Sequence, residues 1–83
     1  MDWSIEVLIG MVAEHFGIAK DRITASTRIC DLGIAIEDFI GFLADSEDDI
    51  EGYGVKLMRD FDMCLTLRKT HTIAQVNDIA IYK

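Results

Sequence analysis

The chain contains no proline among its 83 residues, only eight basic residues against fifteen acids, and just two cysteines. Without proline, a common helix stop is missing, so glycines and capping side chains must set the element boundaries. The shortage of bases leaves a formal charge of −7. That is the wrong sign for neutralising phosphates, which excludes DNA and RNA as expected partners and disfavours an anionic membrane surface. Cys30 and Cys64 are too few for a disulfide framework, and neither has a His or Cys at metal-ligand spacing. The expectation is two reduced, partly buried thiols and no metal site. No apolar run approaches the length of a bilayer span, and no basic segment leads into an apolar one, so the expected compartment is the cytoplasm.

What is present is 51% hydrophobic residues in a chain of single-domain length. That composition suffices for one core across residues 1–83, but not for a core and a deep substrate pocket together. An enzyme is not expected. Ile5, Leu8, Val12 and Phe16 recur at helical spacing with Ile9 beside them, so a helix is expected over Asp2–Phe16, capped by Asp2 or Ser4 and stopped by Gly17. From Ile18 to Gly33 the pattern breaks, with Ile23, Ile29 and Leu32 as anchors of a long loop. Ile36, Phe39, Ile40 and Leu43 start a second helix. Gly52 and Gly54 flank Tyr53 and suggest a loop or frayed turn over Ser46–Gly54, open enough for Tyr53 to serve self-association. Val55–Phe61 then resumes a helical pattern, and a short turn or helical stub covers Leu65–Lys69. Thr72 and Gln75 form a capping box for a last helix through Val76, Ile79 and Ala80. Only Met63–Thr66 has much β propensity, so no strand is expected and the class is all-α.

Charge is unevenly placed. Asp31, Glu37, Asp38, Asp45, Glu47, Asp48, Asp49 and Glu51 fall between Arg28 and Lys56 without one intervening base. A solvated face is the bland reading of such a run. Eight acids with no compensating base exceed what solubility asks for, and a surface for basic protein partners is the sharper reading. The alternation of Asp45, Glu47, Asp49 and Glu51 does not make an EF-hand, because Ile50 and Lys56 stand where the sixth-position glycine and twelfth-position acid belong. His15 and His71 have no partner at fixed spacing, so Cys64 reads as a core thiol rather than a nucleophile. Met11, Met58 and Met63 read as core filler, and Trp3 as an N-terminal packing anchor.

An ordered set of short motifs resembles the acyl carrier proteins. These are Val12-Ala13-Glu14-His15-Phe16-Gly17-Ile18, Ile23-Thr24, Asp31-Leu32-Gly33, Arg59-Asp60-Phe61-Asp62, and Thr72-Ile73-Ala74-Gln75-Val76-Asn77-Asp78-Ile79. The resemblance covers nearly the whole chain, each motif being short. It implies a small four-helix bundle with a long loop between the first two helices, and an acidic second helix that docks on basic patches of partner enzymes. It also implies a phosphopantetheine arm on the serine of an Asp-Ser-Leu motif shortly after Asp-Leu-Gly. Here Ala35, Ile36 and Glu37 occupy those three positions, and isoleucine offers no hydroxyl for a phosphodiester. An insertion of roughly three helical turns by residue count separates this region from Arg59. It contains Asp45-Ser46-Glu47, so Ser46 is the alternative attachment site, against an N-cap role completed by Asp49. The expectations are therefore a monomeric interaction module without cofactor, an atypical 4'-phosphopantetheine carrier modified on Ser46, or a self-associating structural or regulatory protein.

Overall fold

The computed structural model describes residues 2–83. Helix α1 runs Ile5–Phe16, α2 Ile36–Asp45, α3 Glu47–Glu51, α4 Asp60–Thr66 and α5 Ile73–Ala80. Two-residue strands β1 (Lys56–Leu57) and β2 (Ile81–Tyr82) pair antiparallel, Lys56 opposite Tyr82 and Leu57 opposite Ile81. The chain is thus mostly helical with one small sheet.

Local chemistry explains the secure boundaries. The Ser4 hydroxyl accepts from the Val7 N–H at 3.4 Å, so α1 starts later than Asp2. Gly17 closes it at φ 65°, a left-handed geometry that a side chain resists. The α1 stripe buries Leu8, Ile9 and Val12, with Ile5 and Phe16 half-buried. Helix α2 buries Phe39, Ile40, Phe42 and Leu43. Phe16, Phe39 and Phe42 then form one aromatic cluster, with ring centroids 5.4 to 6.3 Å apart. Such pairs add about 0.5–1.5 kcal/mol each beyond their buried area, and they tie the end of α1 to α2.

The segment between α1 and α2 is long, as expected, but it is not loose. It contains 3₁₀ turns at Lys20–Arg22 and Ile29–Leu32. Ile23 and Ile29 are buried and Leu32 is half-buried. Backbone bonds stitch this segment to the start of α5: Ile29 N–H to the His71 carbonyl at 3.1 Å and Cys30 N–H to that of Lys69 at 2.9 Å. In return, Ile73 and Ala74 N–H donate to the carbonyls of Thr27 and Ala25, each at 2.9 Å. The Thr72–Gln75 capping box forms as expected, with Gln75 N–H on the Thr72 hydroxyl at 3.1 Å and Thr72 N–H on the Gln75 amide oxygen at 2.9 Å. The first-turn donors of α5, which have no partner inside the helix, are all satisfied this way.

The middle of the chain differs from its sequence pattern. The loop or frayed turn expected over Ser46–Gly54 is confined to 52–54: Ser46 N–H bonds the Phe42 carbonyl at 3.0 Å and Ile50 N–H bonds that of Ser46 at 2.9 Å, so a short helix over Glu47–Glu51 follows α2 directly. Ile50, fully buried, holds it down. Val55–Phe61 is not a helix either. Val55 and Leu57 are buried while Lys56 is exposed, the alternation of a strand, and Met58 N–H reaches the Ala80 carbonyl at 2.7 Å. The helix resumes only at Asp60 and ends at Thr66, so it takes in just the first two residues of the turn or stub expected over Leu65–Lys69. Met63 is buried, whereas Met11 and Met58 are half-buried.

Trp3 does anchor the N-terminal segment. Its indole N–H donates to the Asn77 side-chain oxygen at 2.7 Å, and its ring meets Tyr53 edge-on at 5.5 Å. Tyr53 is therefore half-buried against Trp3 and not an open loop tip. One buried hydrophobic cluster draws on all five helices and the strand pair.

Candidate functional site

The eight acids are all exposed, but they do different jobs. The Asp31 carboxylate accepts from the Arg28 N–H at 3.2 Å and caps its 3₁₀ turn. The Glu51 carboxylate accepts from the Leu57 N–H at 3.1 Å and holds the end of α3 to β1. Glu37, Asp38, Asp45, Glu47, Asp48 and Asp49 have no hydrogen bond or ion pair from their side chains among the described residues.

Helical geometry sorts these six. At about 100° per residue, Glu37, Asp38, Gly41 and Asp45 fall on one arc of α2, opposite the buried Phe39, Ile40 and Leu43. Glu37 and Asp38 sit in the first turn of α2 and complement the positive end of its dipole. That matters because Ala35 caps this helix without a side-chain bond. Glu47, Asp48 and Asp49 form the first turn of α3, so the acidic surface extends along α2 into α3. Among the described residues the one ion pair is Arg59–Asp62 at 3.4 Å, outside this surface.

Ile36 is the first residue of α2 and half-buried. With Ile40, Gly41, Cys64 and Leu67 it lines an open groove of about 410 Å³ between α2 and α4, and Glu37 and Asp60 stand on its edge. Ser46 lies ten residues further along the chain, about 15 Å away at helical rise. It shares a shallow cleft of about 200 Å³ with Met11, Glu14, His15, Phe42 and Asp49. Ser46 takes the N-cap position of α3, as expected, but without the capping bond: its side chain makes none, and its φ −96°, ψ 7° mark the bend between α2 and α3. Because Ser46 also closes the C-terminal end of the ten-residue α2, the negative end of that dipole opposes whatever the five-residue α3 offers an attached phosphate. Ile36 and Ser46 thus stand at opposite ends of α2.

The remaining chemistry-bearing side chains stay apart. Cys30 and Cys64 are exposed rather than partly buried. The Cys64 thiol donates to the Asp60 carboxylate, sulfur to oxygen 3.8 Å, and it is not a core thiol. His15 packs on Phe42 at 4.8 Å, while His71 Nδ1 accepts from the Arg68 N–H at 3.0 Å. Among the described residues no cluster of three potential metal ligands occurs, no polar or charged side chain is buried, and no helix is long and apolar enough to cross a membrane.

Two surface residues escaped the sequence reading. Phe61 and Leu65 on α4 are 70% and 63% exposed, although both fit a helical apolar pattern. Their spacing of four was the available signal, since it separates them from the buried Met63. Comparison with protein-family models, curated sequences and solved structures gives no match.

Proposed function

We propose that this domain is a protein-interaction module of acyl-carrier-like design that docks on basic protein surfaces through the acids of α2 and α3. It carries no phosphopantetheine arm, performs no catalysis of its own, and works as a monomer in the cytoplasm. One observation carries the reading: six exposed acids on contiguous helices lack intramolecular partners among the described residues, and no base lies between Arg28 and Lys56 in the sequence to neutralise them. Charges left in this state steer and orient a cationic partner. Ile36 at the start of α2 supports the absence of an arm, because its aliphatic side chain has no nucleophilic oxygen.

Two measurements test this. Incubation with coenzyme A and a broad-specificity phosphopantetheinyl transferase leaves the intact mass unchanged if no arm is carried. A quantitative gain of one phosphopantetheine overturns that, and its loss in Ser46→Ala assigns the arm to Ser46. For docking, the probe is a fluorescent helical peptide of lysine and alanine, read by anisotropy. Replacing Glu37, Asp38 and Asp45 by their amides weakens its binding about tenfold, using about 0.5 kcal/mol for each exposed pair. The amides of three exposed acids outside α2 and α3, Glu6, Asp21 and Asp78, leave it unchanged. Equal loss from both sets would reduce the surface to undirected net charge.

A further inference from the structure

Helix α4 faces the wrong way for a purely structural element. Of its seven residues it buries Met63 alone, while the large hydrophobics Phe61 and Leu65 point to solvent. Single exposed apolar residues are ordinary, but a contiguous set beside a groove marks a contact surface. Here the set is contiguous. Phe61, Cys64 and Leu65 share one helical face by their spacing of three and four, and Cys64 also lines the groove between α2 and α4 with Ile36, Ile40 and Leu67. The opposite wall carries Gly41, where an added Cβ would meet nothing within 4 Å. A foreign backbone can therefore come close to α2 at that point.

We infer that the Phe61–Leu65 face of α4 and the adjoining groove form an apolar docking site for a basic amphipathic helix of another protein. This rests on the acidic-docking reading and adds the apolar half of the partner. Charge selects the occupant. Glu37 and Asp60 edge the groove, and Asp38 and Asp45 share the exposed arc of α2 with Glu37 and Gly41, so cationic side chains beside an apolar ridge match both features. A second copy of this chain would bring the same acids together in a molecule of charge −7, which disfavours self-pairing. The matching partner segment presents leucine-like side chains on one face and lysine or arginine on its flanks.

The test uses the full chain and two fluorescent helical peptides of equal charge, one of lysine and alanine, the other with leucines along one face. The leucine peptide binds at least about tenfold tighter, as burial of two large apolar side chains implies. The double variant Phe61→Ser, Leu65→Ser removes that advantage, leaves the alanine peptide's affinity unchanged, and keeps the circular dichroism because both positions are mostly solvated. A leucine advantage that survives the double variant overturns the site. So does wild-type self-association in sedimentation that the double variant abolishes, or binding to phosphatidylcholine vesicles through the same pair. If the alanine peptide does not bind at all while the leucine peptide still depends on Phe61 and Leu65, the acidic-docking reading falls, and the basic character given to this partner falls with it.

Discussion

Replacement of Glu51 separates an acid that builds the fold from acids available for a partner. Its carboxylate accepts from the Leu57 N–H at 3.1 Å, and Leu57 is 5% exposed in the strand paired with Ile81. Glu51→Ala leaves that N–H without its acceptor. A buried donor stripped of its partner costs about 1–3 kcal/mol. The exposed carboxylate already competes with water, so the bottom of that range applies, about 1–1.5 kcal/mol. Alanine's better helix propensity returns a few tenths at most. For a domain of this size each kcal/mol moves the midpoint by about 4–8 °C, giving a fall of about 4–12 °C in thermal unfolding followed by far-UV circular dichroism. Glu51→Gln keeps an acceptor oxygen and falls by less than half as much. Amide exchange at Leu57 accelerates in the alanine variant and stays slow in the glutamine one. Equal damage from both variants, or none from alanine, would refute the account of Glu51 as a strand-holding acceptor.

Gly41→Ala raises stability by about 0.5–1 kcal/mol, because the site is helical and solvent-facing with nothing within 4 Å of the new Cβ. Chemical denaturation measures the gain, and a loss would mean that α2 does not run unbroken through this position. Thr72→Ala lowers stability by about 1 kcal/mol in the same assay by removing the acceptor for the Gln75 N–H. An unchanged midpoint would show that the carbonyls of Thr27 and Ala25 suffice to start α5.

The elements legible in the sequence were those whose boundaries are set by neighbouring residues. Gly17 ending α1, Ile36 opening α2 and the Thr72–Gln75 box opening α5 all act within one helical turn. The region from Ser46 to Phe61 depends on distant partners. Val55 and Leu57 are apolar enough for either a helix or a strand, and it is the backbone at Ala80–Tyr82 that selects the strand. Glycines at 52 and 54 suggested a loop from Ser46 onward, yet buried Ile50 keeps α3 wound through Glu51, and the turn is left to 52–54, where Gly54 takes φ 87°. The acidic surface was legible as a list of charges, since exposed acids need no fold to be counted. The division between working and free acids was not, because the Glu51–Leu57 bond joins groups six residues apart across a turn. The outward face of α4 was hidden for a related reason: hydrophobicity alone does not say which side of a short helix meets the core.

The stitching between the 24–30 segment and the start of α5 also bears on how the chain reaches its structure. Its hydrogen bonds join backbone groups about 40 to 50 residues apart, and the same carbonyls supply acceptors that α5 lacks internally. The last helix thus has a costly beginning until the early connection is in place, and the connection has no ladder until that helix arrives. Neither gains much by forming alone, and closing so long a span must precede the reward. The amides of Ile29, Cys30, Ile73 and Ala74 belong to one cooperative unit and open together in native-state hydrogen exchange, so a lesion at either end shortens the protection of both.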